Sequence, residues 1–148
     1  MGRKLFLLIL IVITGCTGTT VKKDDPDKTP DNYNLKIVIF NNEIKNPSED
    51  NRCYYRIYIN KVESGRTNTG LESQEKIFES KLSYGRHLFS IEKWVLDTKK
   101  GVYRKVNNVK QPKPSFYYFK VPKNKILKVT VKNTKSGRAR YTEGIEKQ

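Results

Sequence analysis

Three kinds of side chain in this 148-residue chain could do chemistry: one imidazole, two thiols and a small group of carboxylates. His87 is the single histidine, and it alternates with Phe89 and Ile91, so the spacing predicts a buried, structural imidazole. Ser83, Ser90 and Asp97 could complete a Ser-His-Asp set by arithmetic, yet no Gly-x-Ser-x-Gly elbow surrounds any serine. Glu72, Glu75 and Glu79 lie close to Lys76 and Lys81, a pattern that predicts a solvated face rather than a paired acid and base. Cys53 shares its strand face with aliphatic residues, which predicts a thiol packed as a small hydrophobe; an intermolecular disulfide is the alternative. Cys16 lies far from the others in an apolar N-terminal stretch, and the one His and one Cys that remain do not make a transition-metal site. There is no Gly-rich phosphate loop. A non-enzymatic chain without cofactor or metal is therefore expected.

Binding chemistry is better represented. Tyr54 and Tyr58 flank Arg56, and Phe116-Tyr117-Tyr118-Phe119-Lys120 repeats the mixture of rings and cations. Such interleaving can stack on bases or sugars, although strands also use aromatics simply to pack. Charge is unevenly placed: Glu43 to Asp97 holds nine acidic and nine basic residues, whereas Thr98 to Thr142 holds fourteen Lys or Arg and no Asp or Glu. The imbalance reads either as a surface that attracts anions or as a Lys-rich compositional bias. On the first reading Lys120, Lys123, Lys125 and Lys128 are the candidate contacts with an anionic surface, either phosphorylated lipid head groups or acidic polymers. Each lysine can contribute ~1 kcal/mol there, fading beyond ~8 Å. Nucleic acid is not the expected partner, since strands are enriched in aromatics for packing alone.

The elements that must hold these residues show period-two patterning. Leu35 to Phe40, Cys53 to Asn60, Ile77-Phe78, a long run after Gly85, Val102 to Val106, Phe116 to Val121 and Ile126 to Val131 read as strands. Asn46-Pro47-Ser48, Ser64-Gly65, Lys100-Gly101 and Pro122-Lys123-Asn124 are among the turns that separate them. The expected fold is all-β, a small antiparallel β-sandwich of about seven strands spanning residues 34–133. Residues 134–148 read as a polar, basic tail that frays. Residues 17–33, with two prolines among mostly small polar and charged residues, read as a flexible tether.

The N-terminus carries the most specific pattern. Arg3 and Lys4 precede an apolar run from Leu5 to Ile13, followed by Thr14, Gly15 and Cys16. About nine apolar residues suit a secretory signal and, at ~14 Å as a helix, are too few for a ~30 Å hydrocarbon core. The stretch Ile13-Thr14-Gly15-Cys16 resembles the lipobox of bacterial lipoproteins, with Ile in place of the commonest Leu. The resemblance implies diacylglyceryl transfer to Cys16 and cleavage between Gly15 and Cys16, giving a signal peptide of residues 1–15 and a lipidated linker of residues 16–33. Membrane attachment then follows from burial of acyl chains. Thr17 in place of Asp leans toward an outer membrane over a cytoplasmic one. A second resemblance covers about a third of the chain: Tyr58 to Thr67, followed by Leu82 to Ile91 with Gly85-Arg86-His87, is similar to PEGA-type envelope β-domains. Lys61 and Asn68 depart from that pattern. It implies a small accessory sandwich without catalysis. The expected product is a lipid-anchored envelope protein that binds an anionic surface or a protein partner, the alternative being a surface-displayed adhesin.

Overall fold

The computed structural model describes residues 32–146. They form an all-β fold of ten strands in two sheets, not closed into a barrel. In chain order these are β1 (Leu35–Asn41), β2 (Arg52–Ile59), β3 (Val62–Arg66), β4 (Gly70–Leu71), β5 (Lys76–Ser80), β6 (Gly85–Asp97), β7 (Val102–Lys105), β8 (Phe116–Val121), β9 (Ile126–Asn133) and β10 (Ala139–Glu146). A single 3-10 turn, Pro47–Glu49, is capped by the Asn46 side chain.

One sheet has the order β10-β9-β1-β5. The other runs β3-β2-β6-β7, with β4 on β2 and β8 on β6. The alternation along each strand decides what is buried. Cys53, Tyr55, Ile57 and Ile59 of β2 point inward, as do Leu127, Val129 and Val131 of β9. They meet Leu35, Ile37 and Ile39 of β1 and Phe89 and Ile91 of β6 in one core supplied by both sheets. Burial of these side chains at ~1.5–3 kcal/mol each is what holds the sheets together.

Three expectations are corrected. There are ten strands, not about seven, because β3, β4 and β10 carry too little apolar alternation to stand out. The sheets are not purely antiparallel: β1 lies parallel to β9, with Leu35 opposite Leu127 and Asn41 opposite Asn133. Parallel neighbours need a long crossover, and the whole of the second sheet intervenes in sequence between these two strands. The segment beyond residue 133 does not fray. Ala139–Glu146 pairs along the length of β9, satisfying what would otherwise be an open sheet edge, and Ala139 is buried.

The loop between β7 and β8 ties the two sheets together. On the side away from β2, β6 is paired by β7 near its end and by β8 near its start, which leaves the backbone of Lys93 with no strand opposite on that side. The buried Gln111 side chain fills that gap. Its Oε1 accepts from Lys93 N at 2.8 Å, and its Nε2 donates to the carbonyls of Lys93 at 3.1 Å and Val106 at 3.0 Å. On its other side the loop is held by the β9–β10 hairpin: Lys113 N donates to Gly137 O and Ala139 N to Lys113 O, both at 2.7 Å. Gly137 has φ +82°, and a Cβ there would lie 2.8 Å from the carbonyl oxygens of Val109 and Gln111. Both the turn and the close approach therefore require glycine.

Candidate functional site

The register places four of the candidate contacts at one end of the domain. Leu35 pairs with Leu127, and Leu127 N donates to Asn34 O at 2.9 Å, so the chain enters β1 beside the start of β9. The β8–β9 turn, which carries Lys123 and Lys125, immediately precedes β9. Asn34 also exchanges two side-chain hydrogen bonds with the backbone of Leu82, both at 2.8 Å, which fixes the β5–β6 loop at this end. Lys120, Lys123 and Lys125 are exposed. None of the three forms an ion pair among the described residues. Lys120 and Lys123 border a hollow of about 540 Å³ shared with Tyr84, Gly85 and Pro122. Lys128 differs from them. It projects from β9 toward β10, where Glu146 meets its ammonium at 3.2 Å. An ion pair already holds the fourth cation, so three of the four remain available.

Tyr54, Arg56 and Tyr58 of β2 and Phe116, Tyr118 and Lys120 of β8 come to lie on one outward face of the second sheet, joined through β6, whereas Tyr117 and Phe119 turn toward the core. Tyr54 opposes Trp94, Arg56 opposes Glu92, Tyr58 opposes Ser90 and Ser90 opposes Phe116. Half of this face is packing. Tyr54 is only 5 % exposed, covered by Trp94 stacked at 6.1 Å, by the edge of Tyr103 at 5.0 Å and by the Arg66 guanidinium at 5.3 Å. Arg56 lies over Trp94 at 4.2 Å. The other half is open: Phe116 and Tyr118 of β8 are 55 % and 50 % exposed, with Arg86 over the Tyr118 ring at 4.5 Å.

Between this face and the β7–β8 loop runs a cleft of about 610 Å³. Glu92 stands in its wall, accepting from Tyr58 Oη at 3.1 Å and from Lys105 Nζ at 2.5 Å. Partial burial pushes the Glu92 carboxyl upward, but the Lys105 and Tyr58 hydrogen bonds outweigh it and hold its pKa below the usual carboxylate value. Ser90, Asn108 and Ser115 add neutral hydrogen-bonding groups, and Lys61 and Lys113 add cations at the rim.

Groups that could do acid–base or thiol chemistry are occupied or sealed. His87 is buried, and both ring nitrogens are engaged: Nε2 faces the Ser83 carbonyl at 2.9 Å and Nδ1 faces Asn60 Nδ2 at 3.0 Å. A carbonyl can only accept, so Nε2 carries the proton; Asn60 Oδ1 already accepts from Leu88 N, which leaves Nδ2 to donate to Nδ1. Neither Ser90 nor Asp97 is a partner of this ring, and Ser83 reaches it only through its backbone. Cys53 is fully buried, and burial pushes its thiol from 9.0 up to about 11.

The carboxylate cluster does not form the solvated face expected of it. Glu72 is 5 % exposed and meets Lys93 at 2.5 Å, while Lys76 is fully buried and donates to the carbonyls of Leu71 and Gln74. Burial lowers the Lys76 pKa. Position 76 alternates with the inward-facing Phe78 on the same strand, which was the one sequence signal for this inward lysine. Glu79 pairs with Lys36 at 3.5 Å on the outer face of the first sheet. Among the described residues no group of three or more His, Cys, Asp or Glu side chains converges as a metal site. Gly15 and Cys16, the expected processing and lipidation site, lie outside the described residues.

No protein-family model, curated protein or solved structure matches this chain.

Proposed function

We propose that this chain is a lipid-anchored cell-envelope protein whose β-sandwich domain holds an anionic membrane surface through its basic end, without catalysis. The anchor is the acylated Cys16, after removal of residues 1–15, and residues 16–33 form the tether. The PEGA-like pattern around Gly85 and His87 suits the same accessory role. One observation carries the proposal: the unpaired Lys120, Lys123 and Lys125 share the end of the domain at which the chain enters from its N-terminal side. A tether of this kind hangs the domain with that end toward the bilayer. Three lysines at ~1 kcal/mol each then supply a contact of about 3 kcal/mol, provided they come within roughly a Debye length of anionic head groups.

Two measurements test it. Cells fed a labelled fatty acid should yield labelled protein, and Cys16→Ser should abolish the label; an unlabelled, released product removes the anchor. Full chain anchored in neutral phosphatidylcholine vesicles should capture phosphatidylglycerol vesicles at low salt and release them at high salt. The triple variant Lys120→Gln, Lys123→Gln, Lys125→Gln should lose this capture, whereas Lys128→Gln should retain most of it. Salt-independent capture, or equal loss in the two variants, contradicts the assignment.

A further inference from the structure

The cleft beside the β7–β8 loop shares no residue with the basic end and calls for a different ligand. From its lining we propose that it takes an acidic saccharide, a short run of uronic-acid sugars. Its volume of about 610 Å³ lies within the ~300–1,000 Å³ usual for ligand clefts. Ser90, Asn108 and Ser115 offer the neutral donors and acceptors that ring hydroxyls need. Lys61 and Lys113 form no ion pair among the described residues, so two cations stand ready for carboxylates. Phe116, 55 % exposed and directly opposite the cleft residue Ser90, gives an apolar ring on which a pyranose face can lie. Tyr118 is less free for this, because Arg86 covers its ring.

Two features favour sugar over a single-stranded nucleic acid, the other ligand that combines rings with charge. Stacking of successive bases needs several open rings along a track, but Tyr54 and Trp94 are packed against each other and under arginines. Glu92 also stands in the cleft wall with its charge held by Lys105, an acceptor that sugar hydroxyls can donate to and that a phosphodiester backbone, itself only an acceptor, cannot use. The two rim lysines hold the charged substituents, the floor holds the hydroxyls, and Phe116 holds the ring.

The test is calorimetric titration of the full chain in neutral detergent with a galacturonic acid trimer. Maltotriose, poly-L-glutamate and a thymidine oligonucleotide serve as competitors of neutral, purely anionic and nucleic-acid chemistry. The galacturonate trimer should bind at least tenfold more tightly than any of the three. Phe116→Ala should weaken it about fivefold or more, and Lys61→Gln with Lys113→Gln about tenfold, all at exposed positions that leave the thermal transition unchanged. The basic-end triple variant should bind the trimer as the wild type does, which separates failure here from failure of the vesicle contact. Equal binding of polyglutamate reduces the cleft to charge alone, and tighter binding of the oligonucleotide reassigns it. Absence of trimer binding, or indifference to Phe116→Ala, overturns the proposal.

Discussion

Replacing Gln111 by Ala tests the observation that one amide completes the backbone pairing of β6. The substitution removes all three hydrogen bonds at 2.8, 3.1 and 3.0 Å. The Lys93 carbonyl keeps a partner, because Val106 N donates to it at 3.2 Å. The Lys93 N–H keeps none, and the Val106 carbonyl loses its Gln111 donor. A buried backbone group left without a partner costs about 1–3 kcal/mol, and the open cleft allows water to recover part of it. The expected loss is therefore about 2–3 kcal/mol, a large fraction of the ~5–15 kcal/mol that stabilises a domain. Guanidinium unfolding of the full chain, followed by fluorescence of its only tryptophan, Trp94, should show a lower midpoint at unchanged slope. Thermal unfolding should fall by roughly 8–12 °C. Gln111→Met separates shape from polarity, since it fills the same volume without hydrogen bonds and should be nearly as damaging as Ala. A methionine variant as stable as the wild type would refute the reasoning, because the side chain would then be needed only as filler.

Other expectations concern the buried titratable groups and the loop clamp. Cys53 and Tyr55 both have pKa values raised by burial, so their protonated forms favour the fold at pH 8 and this contribution is lost as pH rises. For Cys53 the loss runs from about 9 to about 11 and approaches 3 kcal/mol; alkaline melting curves should show it, and Cys53→Ala should flatten them. At pH 8 Cys53 of the folded protein should not react with a thiol alkylating reagent until denaturant opens the domain. Glu72→Gln removes the carboxylate facing Lys93 and should cost about 3 kcal/mol in chemical unfolding, with part recovered by adding Lys93→Met. Gly137→Ala should cost about 2 kcal/mol or more, because the left-handed backbone and the two carbonyls at 2.8 Å both oppose a Cβ.

How much of this was legible in the sequence depends on what each residue reports. Alternation located β2, β6, β8 and β9 because half of each strand enters the core, and a period of two records that directly. It failed for β10, whose alternate residues Ala139, Tyr141, Glu143 and Ile145 are not consistently apolar and pass from buried to exposed along the strand, because the strand covers an edge more than it fills a core. Parallel and antiparallel strands share the same period, so the pairing of β1 with β9 left no mark in the pattern. The four candidate lysines were readable by type, but only the Leu35–Leu127 register brings Lys120, Lys123 and Lys125 to the end where the chain enters. Lys128 was drawn into the same set because Glu146 lies outside the acid-free stretch that defined it. The cleft depends on Gln111 closing a gap between strands, and a lone glutamine in a loop has no periodicity to betray it.

The position of β1 has a mechanical consequence. Its first residue lies nearest the N-terminal segment, yet it is a central strand, bonded to β9 on one side and to β5 on the other. Tension applied at that segment against a load at the opposite end of the sheet runs along the strand axis, at right angles to both rows of backbone hydrogen bonds. Both rows are loaded together, in shear, so they must rupture collectively instead of parting one rung at a time like an edge strand being peeled away. A domain leashed at this point and loaded from its far end is attached through the part of its sheet best arranged to resist being pulled out.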